Sequence, residues 1–136
     1  MSKQYVGPYV NFQGRAREAM EFYQKALGGK LDLQTANEQG ARKPAGPGDR
    51  IAYARLEADG AVIIASDGHP TYPPTVGDNM AIALGGTDRA RLTKAFDGLA
   101  DGGKIKMPLT KQASGNDDGY LVDKFGINWV VTIEKA

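Results

Sequence analysis

The residues able to do chemistry in this chain are few, and their types narrow the chemistry at once. Cysteine is absent and histidine occurs once, at His69. Disulfides, thiolate metal sites and cysteine nucleophiles are therefore excluded, and no histidine-rich metal site can be assembled. His69 lies in Asp67-Gly68-His69-Pro70-Thr71-Tyr72-Pro73-Pro74, a run dense in turn formers. It reads as a solvated loop histidine, with a general base or lid residue as the alternative. Asp117-Asp118 stands between Gly115 and Gly119 without the spacing of a calcium loop, and reads as a solvated turn. Asp123 opens Asp-Lys-Phe-Gly, where a carboxylate can bond the turn backbone, so a structural role is expected ahead of a catalytic one.

The side chains that could face a ligand are set by the strands that carry them. In a strand side chains alternate, so Val10 and Phe12 packed under a helix turn Tyr9 and Asn11 to the other face. Likewise Ala54 and Leu56 inward leave Tyr53 and Arg55 on the opposite side. A guanidinium there can take a carboxylate or phosphonate in a forked pair. The competing expectation is a structural ion pair with Glu57 or with an acid of a partner chain. Tyr120 begins another strand and can add an aromatic wall. Trp129 alternates with Ile127 and Val131 and is expected in the core.

The elements themselves repeat. A strand over Pro8–Phe12 leads to a helix from Ala16 to Leu27, whose Ala16, Ala19, Met20, Tyr23, Ala26 and Leu27 keep the 3.6-residue period. Gly28-Gly29 ends it. A strand over Lys30–Ala36, a Gly/Pro-rich loop through Asp49, and a hairpin of Arg50–Ala58 and Ala61–Ser66 closed at Asp59-Gly60 follow. The order β-α-β-β-β then recurs: a strand over Met80–Leu84, a helix marked by Leu92, Ala95, Phe96 and Leu99, and strands over Lys104–Lys111, Tyr120–Asp123 and Ile127–Glu134. A shift of 74 residues aligns Arg15 to Lys30 with Arg89 to Lys104, with eight identities in sixteen positions. The helical stripes alone prefer 73, which places one extra residue near Asp101.

Asn11-Phe12-Gln13-Gly14, Glu18-Ala19, Phe22-Tyr23 and Leu27-Gly28-Gly29, with Met107-Pro108-Leu109 and the run from Gly119 to Trp129, resemble the PhnB-like branch of the vicinal-oxygen-chelate (glyoxalase, bleomycin resistance, dioxygenase) superfamily. The resemblance covers nearly the whole chain. It implies an α+β fold in which two βαβββ modules form a curled mixed sheet of eight strands around a cup, with helices outside. Module one would span 5–67, a linker 68–78, and module two 79–136.

The same resemblance implies where metal ligands would stand, and the residues depart from the pattern. Tyr9, Ile64, Ala81 or Ala83, and Val130 occupy the expected positions. Aliphatic side chains offer no donor and a neutral tyrosine hydroxyl is a poor one, so no metal or other cofactor is expected. Relatives often carry a His where Tyr53 stands and an acid where Arg55 stands, which again disfavours a metal.

The expected function is a PhnB-like protein that binds a small ligand, an anion being one candidate, in a metal-free cup, with Tyr9, Asn11, Tyr53, Arg55 and Tyr120 as its ligand-binding residues and no catalytic residue assigned. The alternative is a glyoxalase- or dioxygenase-like enzyme (lyase, isomerase or transferase) with an atypical metal site. A methyltransferase label carried by some relatives gets little support, because no glycine-rich strand-to-helix turn for S-adenosylmethionine is visible. The resemblance further implies a homodimer. The 17 Lys and Arg against 16 Asp and Glu give no electrostatic reason to expect nucleic acid or membrane as a partner. No apolar stretch approaches the ~20 residues that span a bilayer, and the cytoplasm needs no further assumption.

Overall fold

The computed structural model of the chain describes residues 5–69, 71 and 73–135. The chain divides into two compact units, Met1–Thr75 and Val76–Ala136. The first holds β1 (Tyr9–Asn11), α1 (Ala16–Leu27), β2 (Lys30–Ala36), β3 (Arg42–Pro44), β4 (Tyr53–Ala58) and β5 (Ala61–Ser66). The second holds β6 (Ile82–Gly86), α2 (Arg89–Ala100), β7 (Lys104–Lys111), β8 (Asp117–Val122) and β9 (Asn128–Ile133).

Each unit is a mixed sheet with one helix packed on it. The first sheet runs β1-β5-β4-β2-β3, with β1 parallel to β5 and the other pairs antiparallel. The second runs β6-β9-β8-β7, with β6 parallel to β9. Both are therefore the βαβββ module expected from the repeat. The helices begin 73 residues apart and the strands after them 74 apart, so the additional residue is Asp101, which caps the end of α2.

The ninth strand, β3, corrects the expectation of an unbroken loop up to Asp49. Asn37 builds the turn that brings it back: its side-chain oxygen accepts from the backbone N–H of Gln39 and of Ala41 at 3.0 and 2.9 Å. Pro44 is tolerated because β3 is an edge strand and needs no further donor on its outer side. Asp117 and Asp118 are also corrected: they open β8 rather than sit in a solvated turn. A tight turn, in which Gln112 N–H donates to Asn116 O at 2.8 Å, lets the ladder run to Lys111 opposite Asp117. Asp117 then pairs with Arg89 at 2.8 Å, and Asp118 accepts from the Thr132 hydroxyl at 2.9 Å.

The cores follow the two periodicities. In the first unit Ala16, Ala19, Met20 and Tyr23 of α1 are buried, as are Ala54 and Leu56 of β4 and Ile63 and Ala65 of β5. Phe12 closes the end of this core, its ring centroid 5.9 Å from that of Tyr23. In the second unit Leu92, Ala95, Phe96 and Leu99 of α2 are buried, together with Leu121, Trp129, Val131 and Ile133 of the sheet. Full burial of each large apolar side chain stabilises by about 1.5–3 kcal/mol, which holds each helix to one sheet face. The other face is left to the alternate residues.

The helices are capped by different means. Asp88 caps α2 locally, accepting from Arg91 N–H at 3.1 Å. Arg15, at the same place before α1, gives no side-chain cap. Its role is taken by Asp67, distant in sequence, whose carboxylate accepts from Ala16 N–H at 2.8 Å and from Ile51 N–H at 2.7 Å. A carboxylate there satisfies an orphan donor and complements the positive end of the helix dipole.

Candidate functional site

The helix-free face of the first sheet is built from residues that the ladder places side by side. Tyr9 pairs with Ile64, Ile64 with Arg55, and Arg55 with Asp32, so these four form one row across β1, β5, β4 and β2. Neighbours in such a row stand about 5 Å apart. Tyr9 is 65% exposed, and its hydroxyl lies 2.8 Å from the buried Ser66 hydroxyl. Tyr53 follows the same face one pleat along β4, with the Arg42 guanidinium 4.4 Å over its ring.

Arg55 is the charged centre of this face. Its guanidinium meets Glu57 at 3.3 Å and lies 4.7 Å from the Tyr5 ring centroid. The Tyr53 hydroxyl, and after it the Glu57 carboxylate, raise its pKa beyond arginine's already high value against an opposing desolvation. It is therefore a fixed positive charge across the whole accessible pH range. The Glu57 partner anticipated from sequence is present. Its side chain is half exposed, however, and solvent screening leaves such a pair weak.

Of the residues expected to bind a ligand, Tyr9, Tyr53 and Arg55 share this face. Asn11 stands at its end, where its side-chain oxygen accepts from Gln13 N–H at 2.8 Å, and it lines a separate cleft with His69. Tyr120 is exposed on β8 of the second unit. Two contributors escaped the sequence reading. Ser66 was accessible to the alternation that selected Ile64. Tyr5 was not, because it lies in irregular chain ahead of β1.

The second sheet carries the equivalent row. Ala83 pairs with Val130, Val130 with Tyr120, and Tyr120 with Met107. The choice between Ala81 and Ala83 is thereby resolved: Ala83 is in register, and Ala81 precedes β6. Tyr9 and Ile64 in one row, and Ala83 and Val130 in the other, do not fit a divalent metal, since three of the four side chains offer no donor atom. Among the described residues no three His, Cys, Asp or Glu side chains come together as a metal-holding group. Asp123 and Trp129 also prove structural. Asp123 accepts from Phe125 N–H, Ile127 N–H and Trp129 Nε1–H at 2.9, 3.0 and 2.9 Å.

A family model described as 3-demethylubiquinone-9 3-methyltransferase matches residues 4–132. The chain belongs to this family. As a member it is similar to protein YjdN of Escherichia coli (strain K12), at 27% identity over 96% of this chain and 95% of the relative. The structure of protein PA1353 from Pseudomonas aeruginosa superposes with a TM-score of 0.82 at 32% identity, over 98% of this chain and 100% of the other. The PhnB protein from Bacillus cereus gives a TM-score of 0.74 at 24% identity, over 96% and 100%. Membership of this family, and its α+β fold, are thus shown. No helix among the described residues is long and apolar enough to cross a membrane.

Proposed function

We propose that this family member is a small-molecule binding protein that takes an acidic ligand on the helix-free face of its first sheet, without a divalent metal. The observation that carries the reading is Arg55: a permanent cation beside the Tyr5 and Tyr53 rings, ion-paired with the half-exposed Glu57 carboxylate. A ligand carboxylate or phosphonate offers two oxygens to the guanidinium fork, which Glu57 at 3.3 Å meets with one nitrogen–oxygen contact. Tyr9 and Tyr53 supply flat apolar surface with a polar tip, suited to the body of such a ligand.

Binding is favoured over the methyl transfer in the family's description. Both sheets are mixed and mostly antiparallel, and neither is the doubly wound parallel sheet whose first strand-to-helix glycine turn receives a nucleotide cofactor. The proposed setting is the cytoplasm.

The test is a thermal-shift screen of small carboxylates and phosphonates on the wild-type protein and on Arg55→Leu. At least one acid is expected to stabilise the wild type, with affinity weakened at least about tenfold in the variant. Equal shifts in both forms would make Arg55 structural only.

The working form is proposed to be a homodimer, because β1, β3, β6 and β7 are sheet edges within their units and open edges invite pairing. Sedimentation at micromolar concentration is expected to give a dimer; a clean monomer would refute it.

A further inference from the structure

The cleft beside the start of α1 stands apart from the face that carries Arg55. It is an open depression of about 340 Å³, lined by Asn11, Gln13, Arg50, Asp67, His69 and Pro73, among others. That volume suits a small ligand. Its hydrogen-bonding capacity is one-sided. Both carboxylate oxygens of Asp67 are engaged, by Ala16 N–H and Ile51 N–H. The Asn11 side-chain oxygen is engaged by Gln13 N–H, and His69 Nδ1 accepts from Thr71 N–H at 3.1 Å.

The donors are not matched in the same way. Arg50 makes no ion pair or hydrogen bond among the described residues, and neither does the Asn11 side-chain NH₂. The Asn11 amide lies against Gly68, which has a φ of +87° and where a Cβ would lie 2.8 Å from Asn11 Cγ. The side-chain acceptors of Asp67, Asn11 and His69 Nδ1 are thus occupied by backbone N–H groups, while a guanidinium and an amide NH₂ point to a ligand that brings oxygens.

We infer that the cleft is a second binding site, specific for a small oxyanion, held by Arg50 and the Asn11 amide. The carboxylate of Asp67 lies in the same cleft but is directed at the N-terminus of α1 and at Ile51, so its charge is partly answered there. It limits the site to a small anion in place of a highly charged one.

The only histidine of the chain reports on this cleft, because the His69 ring carbon–proton pair gives a single resolved signal in a carbon–proton NMR spectrum. Inorganic phosphate and acetate, titrated separately at constant pH and ionic strength, are the probes. A saturable movement of the His69 signal with at least one of them is expected, and which one does so tells phosphate from carboxylate. Arg50→Gln is expected to weaken it by about tenfold or more. Lys94→Gln, which removes an exposed cation from α2, is expected to leave it unchanged. A His69 signal indifferent to both anions, or one that saturates equally in Arg50→Gln, or one weakened as much by Lys94→Gln, would overturn the inference.

Discussion

Asp123→Ala is expected to be among the most destabilising single substitutions in the chain, lowering stability by about 3 kcal/mol or more. The carboxylate is 3% exposed and Trp129 is 1% exposed. Removing it leaves the Trp129 indole N–H buried without an acceptor and frees two backbone N–H groups of the turn that joins β8 to β9. A buried donor left unsatisfied costs about 1–3 kcal/mol, and the turn groups recover part of their loss from water. The midpoint of thermal unfolding should fall by roughly 10 °C. Trp129, the only tryptophan, reports the change through its fluorescence. A midpoint shift within a degree or two of the wild type would show that the network does not hold the turn.

Gly29→Ala is expected to lower stability by about 3 kcal/mol, from two effects that a neighbouring glycine separates. Gly29 has a φ of +96°, and a Cβ there would run into the Glu57 carbonyl oxygen and lie 2.8 Å from Ala58 Cα. Both obstacles are backbone of β4, so nothing flexible can move aside. Gly28 has a φ of +75° with nothing within 4 Å of its virtual Cβ. Gly28→Ala should therefore show the conformational penalty alone, about 1 kcal/mol. Gly103 repeats the close approach in the second unit, where a Cβ would meet the Val122 carbonyl oxygen and lie 2.9 Å from Asp123 Cα. Urea unfolding of Gly28→Ala, Gly29→Ala and Gly103→Ala distinguishes the terms. If Gly28→Ala and Gly29→Ala unfold at the same concentration, the backbone contact carries no energy.

That pair of glycines also shows why so much of the fold could be seen in the sequence. Helix end, glycine turn and strand start are local events, and the bounds of α1, β2, β5 and β7 follow from them. The duplicated Gly-Gly-Lys made even the extra Asp101 visible. What stayed hidden depends on distant contacts or on composition that misleads. β3 lay inside a glycine- and proline-rich stretch, and only the Asn37 side chain marks its turn. β8 begins at Asp117 because Arg89 and Thr132 answer its two acids, and neither partner is near in sequence. Asp67 caps a helix that begins 51 residues before it.

The candidate site divides in the same way. Alternation placed Tyr9, Tyr53 and Arg55 on one face, because a period of two leaves no other choice once Ala54 and Leu56 are buried. Glu57 as the partner of Arg55 was visible two residues along the same strand. The Tyr5 ring beside Arg55 and the Arg42 guanidinium over Tyr53 were not, since one comes from irregular chain and the other from the unrecognised β3. The cleft around Arg50 and His69 needed the course of the chain after β5, which a run of turn-forming residues does not specify.

The central claim is that the face around Arg55 takes an acidic small molecule. It is tested most directly by mapping a stabilising acid onto the protein by NMR, following backbone amides together with the Arg55 Nε–H signal. The account predicts saturable shifts centred on Tyr9, Tyr53, Arg55 and Ile64, with the Arg55 Nε–H signal moving most. Shifts centred elsewhere while Arg55 Nε–H stays in place, or no saturable shift with any small carboxylate or phosphonate, would contradict it.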